Sequence, residues 1–279
     1  MIRYKQIEWV YYNGALVPNA PPHKDINLTV CDQKKLLRLS GAYLLRYTKN
    51  WDTEKQTAFW YIIKDRFTGM DEFSGNTRNK IRRGLKNNLV RRAEPFEMLE
   101  EGYAVYRKAF ERYHTHMKPM TEKQFRARYR EKTTESYEYW VVINGISQKL
   151  VGFAEVHIMD QSAHLNMIKF HPDYLKSYTS YALFYELLNH YLLERKSSYI
   201  SNYTRNVSHD TNIQHFLLEK FRFRKAYCTL VIRYRKIISF IIAIGFPLRK
   251  MIRNIPLSVF QKLSALLLQE EYRRHSLIQ

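Results

Sequence analysis

Apolar positions along the chain switch between two periods, and the switches divide it into elements. In residues 1–65 the pattern is strand-like: IEWVYYNGALVP sets two apolar runs around Asn13-Gly14, a hairpin signal, and QTAFWYIIK has the aromatic and β-branched content of a buried strand. This portion is expected to be β-rich with one helix. From Asp71 to Val90 the sequence turns polar and basic. Ser74 is placed to cap NTRNKIRRGLKNN, a short helix that carries Arg78, Arg82 and Lys86 on one face.

Between Pro95 and Glu131, Met98, Tyr103, Val105, Tyr106, Phe110 and Tyr113 follow helical spacing, and a second helix is expected near Thr121, where TEKQ has the form of a capping box. YEYWVVING and KLVGFAEVHIM then make a strand pair turning at Asn144-Gly145, and SAHLNMIKF adds a third strand, giving an antiparallel meander. After Pro172, SYALFYELLNHYLLERK predicts an amphipathic helix, YISNYT a strand, DTNIQHFLLEKF a helix and KAYCTLVIRYR a last strand. The order is β-β-β-α-β-α-β.

The tail opens with IISFIIAIGFPL, about half the roughly 20 apolar residues that span a bilayer, so no crossing is expected. Arg249, Lys250 and Arg253 follow, and LSVFQKLSALLLQE predicts an amphipathic helix. Two readings stand for this tail: an anchor on an anionic membrane surface, or a helix docked on the protein's own core. The linear division is a β-rich portion at 1–65, a main domain at 66–236 and a basic helical tail at 237–279.

Composition narrows the classes. A chain of 279 residues with 45% hydrophobic content can bury a sizeable core, and no low-complexity segment interrupts it. Two cysteines, in no CxxC or Cys/His cluster, exclude a disulfide scaffold and give no metal site; a reducing compartment fits. The first residues, MIRYKQIEWVYYNG, are broken by charge and lack an apolar signal region, so the expected location is the cytoplasm, or the inner face of the membrane as a peripheral protein. The 46 Lys and Arg against 26 Asp and Glu leave a net charge of +20, which attracts phosphate-bearing partners: nucleic acid, acidic lipid or a phosphorylated metabolite. With 22 tyrosines, base stacking is one account of the aromatic content, but no RNP, KH, zinc-finger or helix-turn-helix signature accompanies it.

From about Tyr137 to Arg235 the order of elements is similar to the GNAT superfamily, in which the helix after the meander receives the pyrophosphate of acyl-CoA at its N-terminus. IKFHPDYLKSYTSYALFYELL resembles the strand, phosphate loop and Leu-rich helix of that family, with Lys176, Ser177, Tyr178, Thr179 and Ser180 at the loop. HDTNIQHFLLEKFRFRKAY is similar to the closing motif, in which an Asn precedes a helix ending in Glu-Lys and Gly-Phe; Glu219, Lys220, Phe221 and Phe223 match, and Asn212 is a candidate for substrate binding. With TRNKIRRGLKNNLV, the arrangement also looks like the Fem-type and peptidoglycan-bridge transferases, a divergent branch of the fold. The resemblance implies a mixed, mostly antiparallel sheet flanked by helices, and an N-acyltransferase acting on an amino group of a sugar or cell-envelope precursor. Acyl-CoA is the implied donor, and aminoacyl-tRNA the alternative. A non-catalytic protein that binds membrane or nucleic acid is the reading outside this class. The chain departs from the family where Arg222 stands for the glycine before Phe, where Leu218 stands for the frequent tyrosine, and where no glycine lies between Lys176 and Tyr181.

Acyl transfer to an amine needs a proton acceptor, donors for the tetrahedral oxyanion and tight positioning, but no covalent nucleophile. The resemblance places a carboxylate facing the cleft at Glu155, and strand alternation puts His157 on the same side. Either is a candidate base, and a solvent-facing strand is the bland alternative for both. His209 precedes the last helix and is a third candidate. Tyr203 and Arg205 follow a strand and are candidates for the acceptor, Tyr203 through its hydroxyl and Arg205 through its fork. Arg78, Arg82, Arg83 and Lys86 are candidates for phosphate contact, against the alternative of a solvated helix face: like charges at i, i+4 weaken a helix unless something compensates.

Overall fold

The computed structural model describes residues 1–112, 118–131, 136–205, 212–253, 255 and 257–277. First in the chain come β1 (Ile2–Tyr4), β2 (Ile7–Tyr12), β3 (Ala15–Pro18), α1 (Val30–Ser40) and β4 (Leu44–Lys49). β5 (Phe59–Lys64), α2 (Gly75–Asn87), β6 (Asn88–Ala93), α3 (Tyr103–Phe110) and α4 (Glu122–Glu131) follow. The meander is β7 (Tyr137–Asn144), β8 (Leu150–Met159) and β9 (Ser162–Phe170). Then come α5 (Thr179–Leu188), β10 (Tyr199–Thr204), α6 (Asn212–Lys220), β11 (Arg224–Tyr234), α7 (Lys236–Gly245), α8 (Arg249–Arg253) and α9 (Ser258–Arg274). The expected β-β-β-α-β-α-β order is present from β7 to β11.

The chain forms two compact units: Met1–Tyr61, Thr204–Asp210 and Lys225–Gln279 make the first, and Ile62–Tyr203 with Thr211–Arg224 make the second. In the first unit β2 and β3 form the hairpin expected at Asn13-Gly14, where both residues hold positive φ, 48° and 84°. β3 pairs parallel with β4, and β4 antiparallel with β11. Alternation then sorts the side chains. Leu45, Tyr47 and Val231 pack with Trp9, Leu16 and Leu36 on the face covered by α1. Leu44, Leu230 and Ile232 point the other way and meet Leu266, Leu268 and Tyr272 of α9.

Two polar anchors fix these layers. Glu270 of α9 is almost fully buried, and it accepts from Tyr234 of β11 and from Arg273 and Arg274. Thr29 and Asp32 cap α1 reciprocally, and Asp32 also accepts from Lys5 Nζ at 2.6 Å and Tyr4 Oη at 2.7 Å. Of the two readings of the tail, docking on its own unit describes α9.

In the second unit β6, β7, β8 and β9 run antiparallel in that order, and β10 pairs parallel with β9. One face of this sheet, with Tyr139, Val141 and Phe153, is covered by Val105 and Tyr106 of α3 and by Phe125 and Tyr129 of α4. The other face is closed behind α5, where Trp140 donates to Tyr191 Oη at 3.0 Å and Phe184 packs on Phe216 of α6 and on Phe221 just after it. At the end of α6 Arg222 holds φ 53°, the left-handed conformation that a glycine there would adopt freely.

The hydrogen bonds from Lys5, Tyr4 and Thr29 hold the Asp32 carboxyl well below the usual carboxylate range. A carboxyl whose pKa falls on folding stabilises the fold at pH above its unfolded value of about 3.9, and that contribution fades as pH drops below it. Replacing Asp32 with Asn should therefore destabilise the protein at neutral pH, and the gap to the parent should narrow steadily in acid. Urea denaturation of both proteins over that pH range checks it, and a pH-independent gap would contradict it.

Candidate active site

The site is built where two parallel strands part. β9 and β10 are paired only at Ser162 with Tyr199, Ala163 with Ile200 and His164 with Ser201. Beyond that row the ladder stops, while β9 continues to Phe170 and β10 to Thr204. Antiparallel register carries the row across the sheet, His164 opposite His157 and His157 opposite Tyr137. His157 stacks flat on Tyr137, with centroids 4.3 Å apart. His164 is buried, its Nε2 lies 2.9 Å from Ser162 Oγ, and its ring meets Tyr203 at 5.8 Å. Tyr203 itself holds φ 50°, a left-handed backbone at the mouth of the split.

One step along the strands sits a charge pair. The register slips between Glu155 and Val156, which pair with Met167 and Leu165, so Asn166 is an extra residue on β9. This bulge aims the Asn166 amide at Glu155, to which it donates. Arg128 of α4 completes the set as a fork, with Nε and Nη2 at 3.0 and 2.9 Å from the two carboxylate oxygens. Glu155 is 0% exposed. Burial alone would depress the Arg128 guanidinium, but the charge and hydrogen bonds of Glu155 outweigh it and raise its pKa. Burial, with the Glu155 charge second, pushes up the phenols of Tyr137 and Tyr139 beside it, so both remain protonated.

A second cluster lies where α2 meets the first turn of α5. Gly84 is the point of contact: a Cβ there would fall 2.6 Å from the Tyr178 carbonyl oxygen, which no side chain tolerates. Asn88 locks the junction, donating to Gly84 O at 2.8 Å and to Ser177 O at 3.0 Å. Tyr178 precedes α5 with φ 60°, again a conformation that glycine takes without cost. The close approach brings Arg83 over the Tyr178 ring at 4.9 Å and Lys80 over Tyr181 at 5.5 Å. Lys176 and Arg83 are exposed beside this helix end, whose first-turn N–H groups and dipole favour an anion, while Arg82 and Lys86 are exposed on the side of α2 turned away from Gly84.

The structure thus unites two groups of residues that lie some 90 positions apart in sequence, Arg83 on one side and Tyr178 on the other. Within the loop, Ser177 Oγ donates to Tyr174 O at 2.7 Å and Thr179 is buried with its hydroxyl toward the same carbonyl, so neither hydroxyl projects outward. Ser180 is half-buried in the first turn of α5. Arg78 faces Asp71 at 3.7 Å. Glu155 and His157 do not lie on a solvent face; both are buried. Arg205 is used by the first unit, donating to Ala58 O at 3.1 Å and stacking on Tyr272 at 4.1 Å, which leaves its fork engaged in packing. His209 lies outside the described residues, and Asn212 opens α6. Three participants went unnoticed in the sequence: Arg128, Asn166 and His164. Counting back from the β8–β9 turn would have set His164 opposite His157, whereas the bulge at Asn166 left no signal.

No family model and no curated protein matches the sequence. Solved structures do. L-PGS from Bacillus licheniformis aligns over 97% of this chain and 86% of its own, with TM-score 0.50 and 14% identity. FemX aligns over 69% of this chain and 72% of its own, with TM-score 0.50 and 9% identity. The ribosomal-protein-S18-alanine N-acetyltransferase from Escherichia coli is 23% identical over 37% of this chain; this chain covers 59% of that one, at TM-score 0.30. At such identities the likeness to L-PGS and FemX establishes the fold, a GNAT-like one of the divergent Fem type, and leaves activity to be argued from the site.

Two substitutions probe these clusters. Gly84→Ala must push α2 off the Tyr178 carbonyl; it should cost about 1–3 kcal/mol in urea denaturation, as overpacking does. Arg128→Met strands a carboxylate with no exposed surface and should cost about 3–5 kcal/mol. Glu155→Gln should cost less, because the stranded guanidinium still reaches water. The double substitution should recover part of the loss, and strict additivity would show that the pair is not coupled.

Proposed function

We propose that this protein is an N-acyltransferase that moves an acyl group from acyl-CoA, or a similarly activated donor, to an amino group of a sugar or cell-envelope precursor. The observation that carries the reading is the junction of α2 with α5 at Gly84. It sets Arg83 and Lys80 of α2 against the first turn of α5, with Lys176 exposed just ahead of that turn, in a fold whose sheet parts between β9 and β10.

The reaction needs little covalent help from the protein. The amine lone pair attacks the acyl carbonyl, the new C–N bond forms, the thioester C–S bond breaks, and the amine loses a proton. Glu155 is a poor acceptor for that proton, because Arg128 and Asn166 occupy both its oxygens. Its part is to hold the bulged edge of β9 in place. His157 and His164 stand in the row where the split opens, and they are the groups in our reading that receive the proton, while Tyr203, whose ring meets that of His164, orients the acceptor. The cations of α2 and Lys176 hold the donor's phosphates.

One observation favours a second donor. No glycine lies between Lys176 and Tyr181, so backbone N–H groups cannot close tightly on a pyrophosphate there, while Arg82, Arg83, Lys86 and Lys176 offer a broad exposed surface suited to a polyanion. An aminoacyl-tRNA donor fits that surface.

Binding of CoA and of unfractionated tRNA to the parent and to Arg82→Ala/Arg83→Ala separates the two. If the donor is an acyl-CoA, CoA affinity should fall by about tenfold or more in the variant. If it is aminoacyl-tRNA, tRNA affinity should fall, and the slope of its salt dependence should decrease by about one per phosphate contact removed. Unchanged binding of both ligands would sink the assignment of this phosphate site.

A further inference from the structure

α7 has two apolar sides, and only one of them is covered. Ile238, Ile242 and Gly245 pack on Leu263, Leu266 and Leu267 of α9, close enough that a Cβ at Gly245 would touch Leu267 at 3.4 Å. The opposite side exposes Ile237, Phe240, Ile241 and Ile244, and the stripe continues through Leu248 to Met251. Ile237 is 75% exposed, Phe240 67% and Met251 70%, more apolar surface in one run than a solvated helix carries by chance.

The charge around this stripe is of one sign. From Lys236 to Gln269 the sequence holds no Asp or Glu, and Lys236, Lys250 and Arg253 lie at or beside the stripe. Arg249, by contrast, is turned back to Glu271 of α9 at 3.3 Å. No described helix is long and apolar enough to cross a membrane, and α7 with its ten residues extends only about 15 Å.

We propose that α7 and α8 form an in-plane docking surface for an anionic lipid bilayer, with Phe240 and its apolar neighbours entering the acyl boundary and the three basic side chains on the lipid headgroups. A second copy of this chain is a poorer occupant, since a two-fold contact would set Lys236, Lys250 and Arg253 against their own like charges. The proposal stands on this surface alone and does not need the acyl-transfer reading.

Co-sedimentation of the full chain with vesicles tests it, using pure phosphatidylcholine against an equal mixture of phosphatidylcholine and phosphatidylglycerol. The parent should bind the mixed vesicles far more tightly than the neutral ones, and binding should weaken with salt. Phe240→Ser/Ile244→Ser alters only exposed side chains, so its Tm should stay that of the parent or rise, while its affinity falls by about tenfold or more. Lys236→Gln/Lys250→Gln/Arg253→Gln should lose roughly fivefold per charge removed. Equal binding to both vesicle types, or a Phe240→Ser/Ile244→Ser variant that binds like the parent, would overturn the proposal. So would a parent dimer, seen by sedimentation equilibrium, that this variant dissociates while vesicles leave the protein in solution.

Discussion

A carboxylate with no exposed surface has to find its counter-charge inside the protein, and Glu155 imposes that constraint on the whole second unit. Arg128 answers it from α4 with a two-pronged fork, and Asn166 answers it from the neighbouring strand. Meeting both demands ties three elements together: α4 cannot slide along the sheet without stranding the charge, and β9 must keep its extra residue. The bulge changes the course of β9 just after the last row that it shares with β10. The split between those strands and the charge pair behind it are therefore parts of one arrangement.

The same economy governs the α2–α5 junction. Bringing a helix with five arginine and lysine side chains in its thirteen residues against a helix N-terminus is electrostatically unfavourable. It is tolerated because Gly84 permits contact with backbone, Asn88 satisfies two carbonyls, and Tyr178 and Tyr181 offer ring faces to the nearest cations. Cations so placed retain most of their attraction for an external anion. That residual attraction is what a phosphate-bearing donor would use.

In the first unit the sheet is covered on both faces, by α1 and by α9, and the polar anchors differ in kind. Asp32 works through a helix cap and a lysine at the surface, while Glu270 is a buried acceptor for a tyrosine and two arginines. Because α9 satisfies the sheet, α7 is left with one side on α9 and one side in water. An amphipathic pattern in sequence identifies the apolar side of such a helix. It does not reveal that a helix is apolar on two sides and that a neighbour covers only one.

Much of this could be read from residue order. Period-two and period-3.6 patterning, the Asn13-Gly14 and Asn144-Gly145 turns and the Ser74 cap determined the elements and their succession, because those signals are local and depend on a few neighbouring side chains. The basic run at Arg78–Lys86 and the loop at Lys176–Ser180 were each recognisable on their own. Their union at Gly84 was not, nor were the Arg128 fork, the Asn166 bulge and the diversion of Arg205 into packing, since each depends on residues far apart in sequence meeting at van der Waals or hydrogen-bond distance. The sequence by itself determined what kinds of element this chain makes and in what order. Tertiary packing alone decided which charges are buried and paired, and which stay free to meet a ligand, because desolvation depends on what surrounds a side chain in space and not on its neighbours along the backbone.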